Sequence, residues 1–255
     1  MENIKIVANT SQEAWEHINE IFIKGSHPEA VFKSHCQYIY NVFLQIQTPW
    51  IDPDIDIFKY FHYSKSKWGG LIGNYLNIPH LRALKEKLSK KSVGKYSYKF
   101  TNSHKNGKAC LTEMVIVKEV THIPELTFFL RASEVTKRLL IDLVFFQRIG
   151  EYLFGGSKFR LNIQFEYLFQ DDPVLIMYSV HRPDFFKSCL RGQGIKQSKR
   201  KLYLSEIYSK MLNASSLDDF KYKIYKRILK VVRPDLDTVS PKPLMVKELS
   251  LKDYL

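Results

Sequence analysis

The stretch that most constrains this chain's fold is a strict alternation of apolar and polar residues between residues 159 and 169. The apolar members are Phe159, Leu161, Ile163, Phe165, Tyr167 and Phe169, and the polar ones are Arg160, Asn162, Gln164 and Glu166. A β-strand turns successive side chains to opposite faces, so the alternation predicts a long strand with one apolar face. Such a face requires a second layer of structure to cover it.

The residues before this strand predict that layer. From Glu134 to Phe154, apolar residues recur every three or four positions, which indicates a helix, and Gly155-Gly156 ends it. Met114–Val120 and Leu126–Arg131 predict a hairpin, and Tyr96–Phe100 a further strand. This central stretch therefore alternates strands with one long helix.

The N-terminal third is predicted to be largely helical. Thr10 and Glu13 have the spacing of a capping box at the start of an amphipathic helix. A second helix is expected over Pro28–Gln47, with Cys36 in its apolar stripe as a small core residue. The glycines of Phe58–Leu76 favour either a turn or a close approach to a ligand. Pro79–Lys91 is expected to be a short basic helix.

The residues after the alternating strand predict one more buried strand, Pro173–Val180, and then basic helices. The helices are expected at residues 202–212 and 216–232, and a last strand at Val246–Leu251. We predict one α+β domain over residues 1–255, a mixed sheet flanked by N- and C-terminal helices. Its core would be residues 96–180, and residues 181–255 a helical basic part.

The net charge of +13 favours a polyanionic partner, either nucleic acid on a basic surface or a smaller phosphate ligand. No apolar run approaches the length of a membrane span, and the N-terminal residues lack a signal-peptide layout. Three scattered cysteines make neither a disulfide framework nor a metal cluster. We expect a soluble, cytoplasmic protein that does not enter a membrane.

Two residues near strand ends are candidates for chemistry. Cys110 stands where a polar loop enters a strand, so its thiol is either presented to a cleft or buried as a small apolar group. Arg131 ends an apolar strand, where its guanidinium needs an anion such as a phosphate, or a carboxylate at an exposed strand end. Ser133 follows as a possible helix cap.

Asp142 is the sharpest anomaly, because it interrupts the apolar run of the predicted main helix. A carboxyl group there must be paired, protonated or functional. It would either make a buried structural hydrogen bond or read the edge of a pyrimidine base, to which it offers an acceptor and, when protonated, a donor.

Together these residues resemble a known pattern. A cysteine, an arginine about twenty residues later, then a serine and an acidic residue, then a polar helical residue eleven after the arginine resembles thymidylate synthase and its pyrimidine hydroxymethylase relatives. The resemblance covers roughly residues 96–180.

The resemblance implies roles for individual residues. Cys110 would supply the thiolate that adds to C6 of the pyrimidine, and Arg131 would bind the 5′-phosphate. Ser133 and Glu134 would lie between the phosphate and the base. Asp142 stands where uracil-specific relatives have Asn and cytosine-directed hydroxymethylases have Asp, which implies a preference for cytosine.

The same resemblance implies a cofactor and a partner. Methylenetetrahydrofolate would carry the one-carbon unit, and the protein would be a homodimer whose arginines, here Arg182 or Arg191, cross to the partner's nucleotide. Some positions depart from the family: Cys110 is followed by Leu111 rather than His, and Ala132 separates Arg131 from Ser133. Tyr167 and Phe169 replace the His and Tyr that hold the sugar.

Two further hypotheses stay open at this point. The chain could be a catalytically inactive relative that binds nucleotide or nucleic acid within a phage-defence or DNA-modification complex, which the basic region 187–201 favours. It could also be an unrelated basic α+β protein that binds nucleic acid.

Overall fold

The structure, a computed structural model, describes residues 4–24, 31–33, 36–55, 57, 65–91, 93–100, 110–135, 138–170 and 244–255. The strands are β1 (Ile4–Thr10), β2 (Val31–Lys33), β3 (Cys36–Thr48), β4 (Gly94–Lys99), β5 (Leu111–Lys118), β6 (Glu125–Glu134) and β7 (Arg160–Gln170). The helices are α1 (Ser11–Lys24), α2 (Lys65–Tyr75), α3 (Ile78–Lys90) and α4 (Leu139–Phe154), and two short 3-10 helices span Val246–Glu248 and Lys252–Tyr254. This confirms an α+β protein.

Six strands form one mixed sheet in the order β1-β3-β7-β6-β5-β4, and the short β2 pairs with β3 beside this path. β1 is parallel to β3, and β6 is parallel to β7, whereas the other neighbours are antiparallel. The alternating stretch is confirmed as β7, which lies between β3 and β6. Its residues Leu161, Ile163 and Phe165 are fully buried.

Helix α4 connects the parallel strands β6 and β7 and packs on the apolar face of the sheet. Phe146 of α4 stacks on Phe128 of β6, with ring centroids 4.1 Å apart. Gly150 allows the helix to approach closely, because a Cβ there would lie 2.3 Å from the Phe159 ring. Gly155 ends the helix in a left-handed conformation with φ 60°, as its sequence predicted.

The helix predicted over Pro28–Gln47 is wrong, because the described residues of that stretch form β2 and β3. Apolar residues stand at every second position from Tyr38 to Ile46 and also recur at three- and four-residue steps, so the run satisfies both the period of a strand and that of a helix. Tertiary pairing decides between them: Leu44 of β3 lies between Ile6 of β1 and Ile163 of β7. Cys36 is therefore the first residue of a strand rather than part of a helical stripe.

The start of the main helix is also corrected. Residues Ser133 and Glu134 belong to β6, and α4 begins only at Leu139, so Ser133 does not cap the helix. The β6–β7 pairing explains this, since Ser133 is in register with Leu168 and Glu134 with Phe169. Pairing with β7 therefore extends β6 beyond the point where its sequence stops alternating.

Other predictions have mixed outcomes. The helix predicted at Pro79–Lys91, the strand at Tyr96–Phe100 and the hairpin of β5 and β6 are confirmed. The three glycines of the Phe58–Leu76 segment lie inside α2, not in a turn. The strand predicted at Val246–Leu251 is wrong, because its first three residues form a 3-10 helix. Pro173–Val180, the helices expected at 202–212 and 216–232, Arg182 and Arg191 lie outside the described residues.

The segment from Leu244 to Leu255 packs against the rest of the fold. Trp68 of α2 donates its indole N–H to the Ser250 carbonyl at 2.9 Å, and Arg148 of α4 donates to the Leu249 carbonyl at 2.8 Å. Leu249 is fully buried. This segment therefore ties α2 and α4 together.

None of the helices in the described ranges is long and apolar enough to cross a membrane.

Candidate functional site

A cavity of about 310 Å³ opens at one end of the sheet, where β6 and β7 end and β5 begins. The walls come from α2, β5, β6, β7 and α4, and they are formed by Leu71, Tyr75, Cys110, Leu111, Leu130, Ala132, Ser133, Glu134, Arg138, Asp142, Phe145, Phe146 and Phe169. Ligand sites commonly lie at the carboxyl ends of parallel strands joined by a helix. The volume is at the lower end of the range of small-molecule pockets.

Cys110 reaches this cavity because it directly precedes β5. The backbone N–H of Arg131 donates to the Cys110 carbonyl at 2.8 Å, which fixes the cysteine against the end of β6. The β5–β6 register shifts between Leu111 and Glu113, so a bulge lies next to the cysteine. Bulges of this kind redirect side chains near functional sites. Cys110 has exposed surface, so it does not belong to the closed core, although the surrounding cavity partly shields its thiol from water.

Asp142 also faces the cavity rather than a closed core. It lies in the first turn of α4, and Ser133 of β6 donates its hydroxyl hydrogen to Asp142 Oδ2 at 2.7 Å. Burial raises the pKa of Asp142 from 3.8 to about 6, although the Ser133 hydrogen bond and the positive charge of Arg138 oppose the rise. Around neutral pH this carboxyl group is therefore able to exchange a proton.

The thiol of Cys110 is influenced by charges of both signs. Burial raises its pKa, and the negative charge of Asp142 raises it further, whereas Arg131 and Arg138 lower it. The raised pKa means that the thiol form prevails in this pocket at neutral pH, and that any added positive charge favours the thiolate.

Arg131 and Glu134 occupy different surroundings at the end of β6. Arg131 is exposed beside the cavity, whereas Glu134 is 5% exposed and lines it. The arginine is thus positioned to meet an anion that arrives from solvent, and the glutamate to contact a ligand inside. Cys110, Ser133, Glu134 and Asp142 share the cavity, with Arg131 at its side.

Tyr167 lies next to the cavity in a group of aromatic rings. Tyr38 and Tyr40 of β3 and Tyr167 and Phe169 of β7 have neighbouring ring centroids 5.8–6.1 Å apart, and we name these four residues the aromatic cluster. Burial raises the pKa of Tyr167, and the charge of Cys110 contributes as the second cause. Tyr167 is therefore within electrostatic reach of the thiol.

Sequence reasoning missed two titratable lining residues, Arg138 and Tyr75. Arg138 directly precedes α4, and a basic residue before an apolar helix carries no pattern that distinguishes it from solvent-facing ones. Tyr75 ends α2, and burial raises the pKa of its hydroxyl, with backbone hydrogen bonds from Cys110 and Leu111 acting in the opposite direction. Only the fold brings α2 to β5.

Within the part of the chain that the structure describes, no group of three or more His, Cys, Asp or Glu residues could hold a metal ion. A scan against protein-family models finds no match for this chain, and a search of curated proteins finds none either.

Proposed function

We propose that the protein is a thymidylate-synthase-like transferase that adds a one-carbon unit to C5 of a pyrimidine nucleotide, most concretely a hydroxymethylase of dCMP or dUMP. The observation that carries the proposal is the meeting of Cys110, Ser133 and Asp142 in one cavity. Cys110 directly precedes β5, Ser133 lies in β6 and Asp142 lies in α4, so three separate elements bring these side chains to one cavity. A thymidylate-synthase-like fold is part of the same proposal.

The cavity suits a flat ring. Its volume of about 310 Å³ and its aromatic residues Tyr75, Phe145 and Phe169 would accommodate a pyrimidine. Asp142, with a pKa of about 6, would accept a hydrogen bond from the exocyclic amine of cytosine when ionised. When protonated it would also donate one to a ring nitrogen, which supports cytosine as the preferred base.

The proposed chemistry uses Cys110 as a nucleophile. Its thiolate would form a bond to C6, and the electron pair of the C5–C6 double bond would make C5 nucleophilic. After C5 has bonded to the one-carbon unit, loss of the C5 proton and of the carrier would leave a methylene on C5. Water adding to that methylene would give the hydroxymethyl group, restore the C5–C6 double bond and expel the thiolate. Arg131, exposed beside the cavity, would bind the 5′-phosphate by paired hydrogen bonds.

Methylenetetrahydrofolate is the cofactor implied, and it would supply the one-carbon unit. The aromatic side chains of Tyr75 and Phe169 fit this group, because they offer apolar surface to a second flat ring in the cavity. We include a homodimer in the proposal, with Arg182 or Arg191 reaching the partner's nucleotide.

The proposal is tested by tritium release. The protein is incubated with dCMP or dUMP labelled with tritium at C5, with and without methylenetetrahydrofolate, and released tritium is counted. We expect release from dCMP to exceed release from dUMP, and Cys110→Ala to abolish both. Arg160→Gln serves as the control, because Arg160 begins β7 at the opposite end of that strand. Equal release by Cys110→Ala would refute the nucleophile.

A second candidate is a nucleotide- or nucleic-acid-binding protein of the same kind that lacks turnover. Two observations favour it: burial raises the pKa of the Cys110 thiol, and Tyr167 and Phe169 pack in the aromatic cluster at positions where relatives hold the sugar. It predicts no tritium release, together with binding to DNA that weakens steeply as salt is raised. If the protein neither releases tritium nor binds DNA, the transferase and the nucleic-acid-binding protein are both excluded.

A further inference from the structure

Arg138 has a defined position relative to the groups in the cavity. It is the residue immediately before α4, and its carbonyl accepts the N–H of Asp142 at 2.9 Å. Residues four apart on a helix lie on the same face, so Arg138 and Asp142 face the cavity one turn apart. Both line it, as does Cys110.

Among the described residues, the charged and titratable groups around Cys110 come from four elements and the residues that adjoin them. They are Tyr75 from α2, Arg131 and Glu134 from β6, Arg138 and Asp142 at the start of α4, and Tyr167 from β7. A thiolate formed in this setting is repelled by Asp142 and must be stabilised by the arginines.

The two arginines influence different groups near the cysteine. The positive charge of Arg138 lowers the pKa of Asp142, whereas that of Arg131 lowers the pKa of Tyr167, and both lower the pKa of Cys110.

We propose that Arg138 is a positioning residue that lets a thiolate on Cys110 and a carboxylate on Asp142 exist together in one cavity. The positive charge of its guanidinium offsets the repulsion between the two anions whenever both are ionised. Arg131 does not replace it, because Arg138 lines the cavity together with Cys110 and Asp142, whereas Arg131 does not line it. The catalytic consequence rests on the proposed function, but the electrostatic role does not.

The test measures the reactivity of Cys110 without any nucleotide. The folded protein is alkylated with iodoacetamide between pH 5 and pH 10, and the tryptic peptide Ala109–Lys118 is quantified by mass spectrometry, because Cys110 is the only cysteine in it. Arg138→Gln removes the charge, Arg138→Lys retains it, and Arg160→Gln removes a charge at the far end of β7.

We expect Arg138→Gln to move the midpoint of the alkylation profile to higher pH and to slow the reaction at pH 7 roughly two- to tenfold. Arg138→Lys should recover most of the rate, and Arg160→Gln should match the wild type. Asp142→Asn should move the midpoint in the opposite direction, to lower pH.

A second reagent gives an independent readout. Iodoacetate is an anion, so the ratio of its rate to that of uncharged iodoacetamide reports the local potential. We expect Arg138→Gln to lower this ratio. Should Arg138→Gln fold poorly, Arg138→Ser supplies the same readout with a side chain suited to the helix start.

An unchanged midpoint and an unchanged ratio in both charge-free variants would overturn the role of Arg138. That outcome would leave the proposed function intact, because tritium release is measured separately. Conversely, the expected shifts without any tritium release would support Arg138 and refute the transferase.

Discussion

Helices α1 and α4 begin in contrasting ways. At α1, the N–H of Glu13 donates to Thr10 Oγ1 at 3.0 Å, and Glu13 Oε2 accepts the N–H of Asn9 at 2.9 Å. At α4, the N-cap residue is Arg138, whose side chain makes no capping hydrogen bond. The first helix start is built for stability, whereas the second presents Arg138 and Asp142 to a cavity.

The contrast indicates that the residues at the start of α4 are not those that would stabilise the helix best. Serine or threonine is the usual solution for the free N–H groups of a first turn, and arginine is not. The serine nearest to this turn, Ser133, instead donates to Asp142 across the cavity. Local rules fail here, and such failures tend to mark functional sites.

The largest expected effect is a loss of stability from a substitution on the face of α4 that packs in the core. Leu143, next to Asp142, is fully buried in the core. We expect Leu143→Ala to lower the free energy of unfolding by about 2–5 kcal/mol, because it removes apolar contacts and leaves a cavity. Urea denaturation measures this, and Leu143→Met, which conserves volume, should cost less than about 1.5 kcal/mol. A loss below that for the alanine variant would contradict close packing here.

Asp142→Asn should have a smaller effect that depends on pH. The folded pKa of about 6 exceeds the ordinary value of 3.8, so the folded protein binds this proton more tightly than the unfolded chain. Stability from this group is fully present below pH 3.8 and is lost as pH rises through 6. The wild type should therefore lose up to about 3 kcal/mol relative to Asp142→Asn between those values.

Chemical denaturation of both proteins at pH 4.5 and pH 7.5 checks this expectation. All other titrating groups are shared, so the difference between the two proteins isolates Asp142. A difference that is independent of pH would show that the carboxyl group is not destabilised by burial.

Thr10→Ala tests the conventional helix start. We expect a loss of about 1 kcal/mol in unfolding free energy, because the N–H of Glu13 loses its acceptor. Thr10→Ser keeps the hydroxyl oxygen and should lie close to the wild type. The melting temperature of both variants measures the effect, and a neutral alanine variant would show that this cap contributes nothing.

Arg138→Ser should produce the smallest change, and it should have the opposite sign. Serine offers the capping oxygen that α4 lacks, so we expect a gain of a few tenths to about 1 kcal/mol in unfolding free energy. The same variant should alkylate more slowly at Cys110. A gain in stability with a loss of reactivity would express a trade-off between folding and function at one residue. Destabilisation would mean that Arg138 has a structural role.

Much of the central fold could be predicted from the sequence, because each apolar pattern there is compatible with only one kind of secondary structure. The β7 alternation has a period of two, and the apolar spacing of α4 ends at a glycine pair. The β3 segment failed because its apolar run satisfies two periods, and only pairing with β1 and β7 makes it a strand. Local sequence does not contain that information.

The candidate site shows the same division. Asp142 could be found because a carboxylate is out of place in an apolar helix, and Cys110 because it stands at a strand entrance. Arg138 and Tyr75 could not, because an arginine before a helix and a tyrosine at a helix end are ordinary. They line the cavity only because the fold places the end of α2 and the start of α4 at the same end of the sheet.

The attachment of residues 244–255 has a consequence for biosynthesis. Trp68 and Arg148 bond to carbonyls of Ser250 and Leu249, so about a hundred residues separate Arg148 from its partner and more separate Trp68. Until residues 244–255 have been synthesised, α2 and α4 lack this anchor. Contacts so distant in sequence form late and slow the folding of a chain. During synthesis this segment should therefore dock on α2 and α4 after the contacts between neighbouring strands have formed.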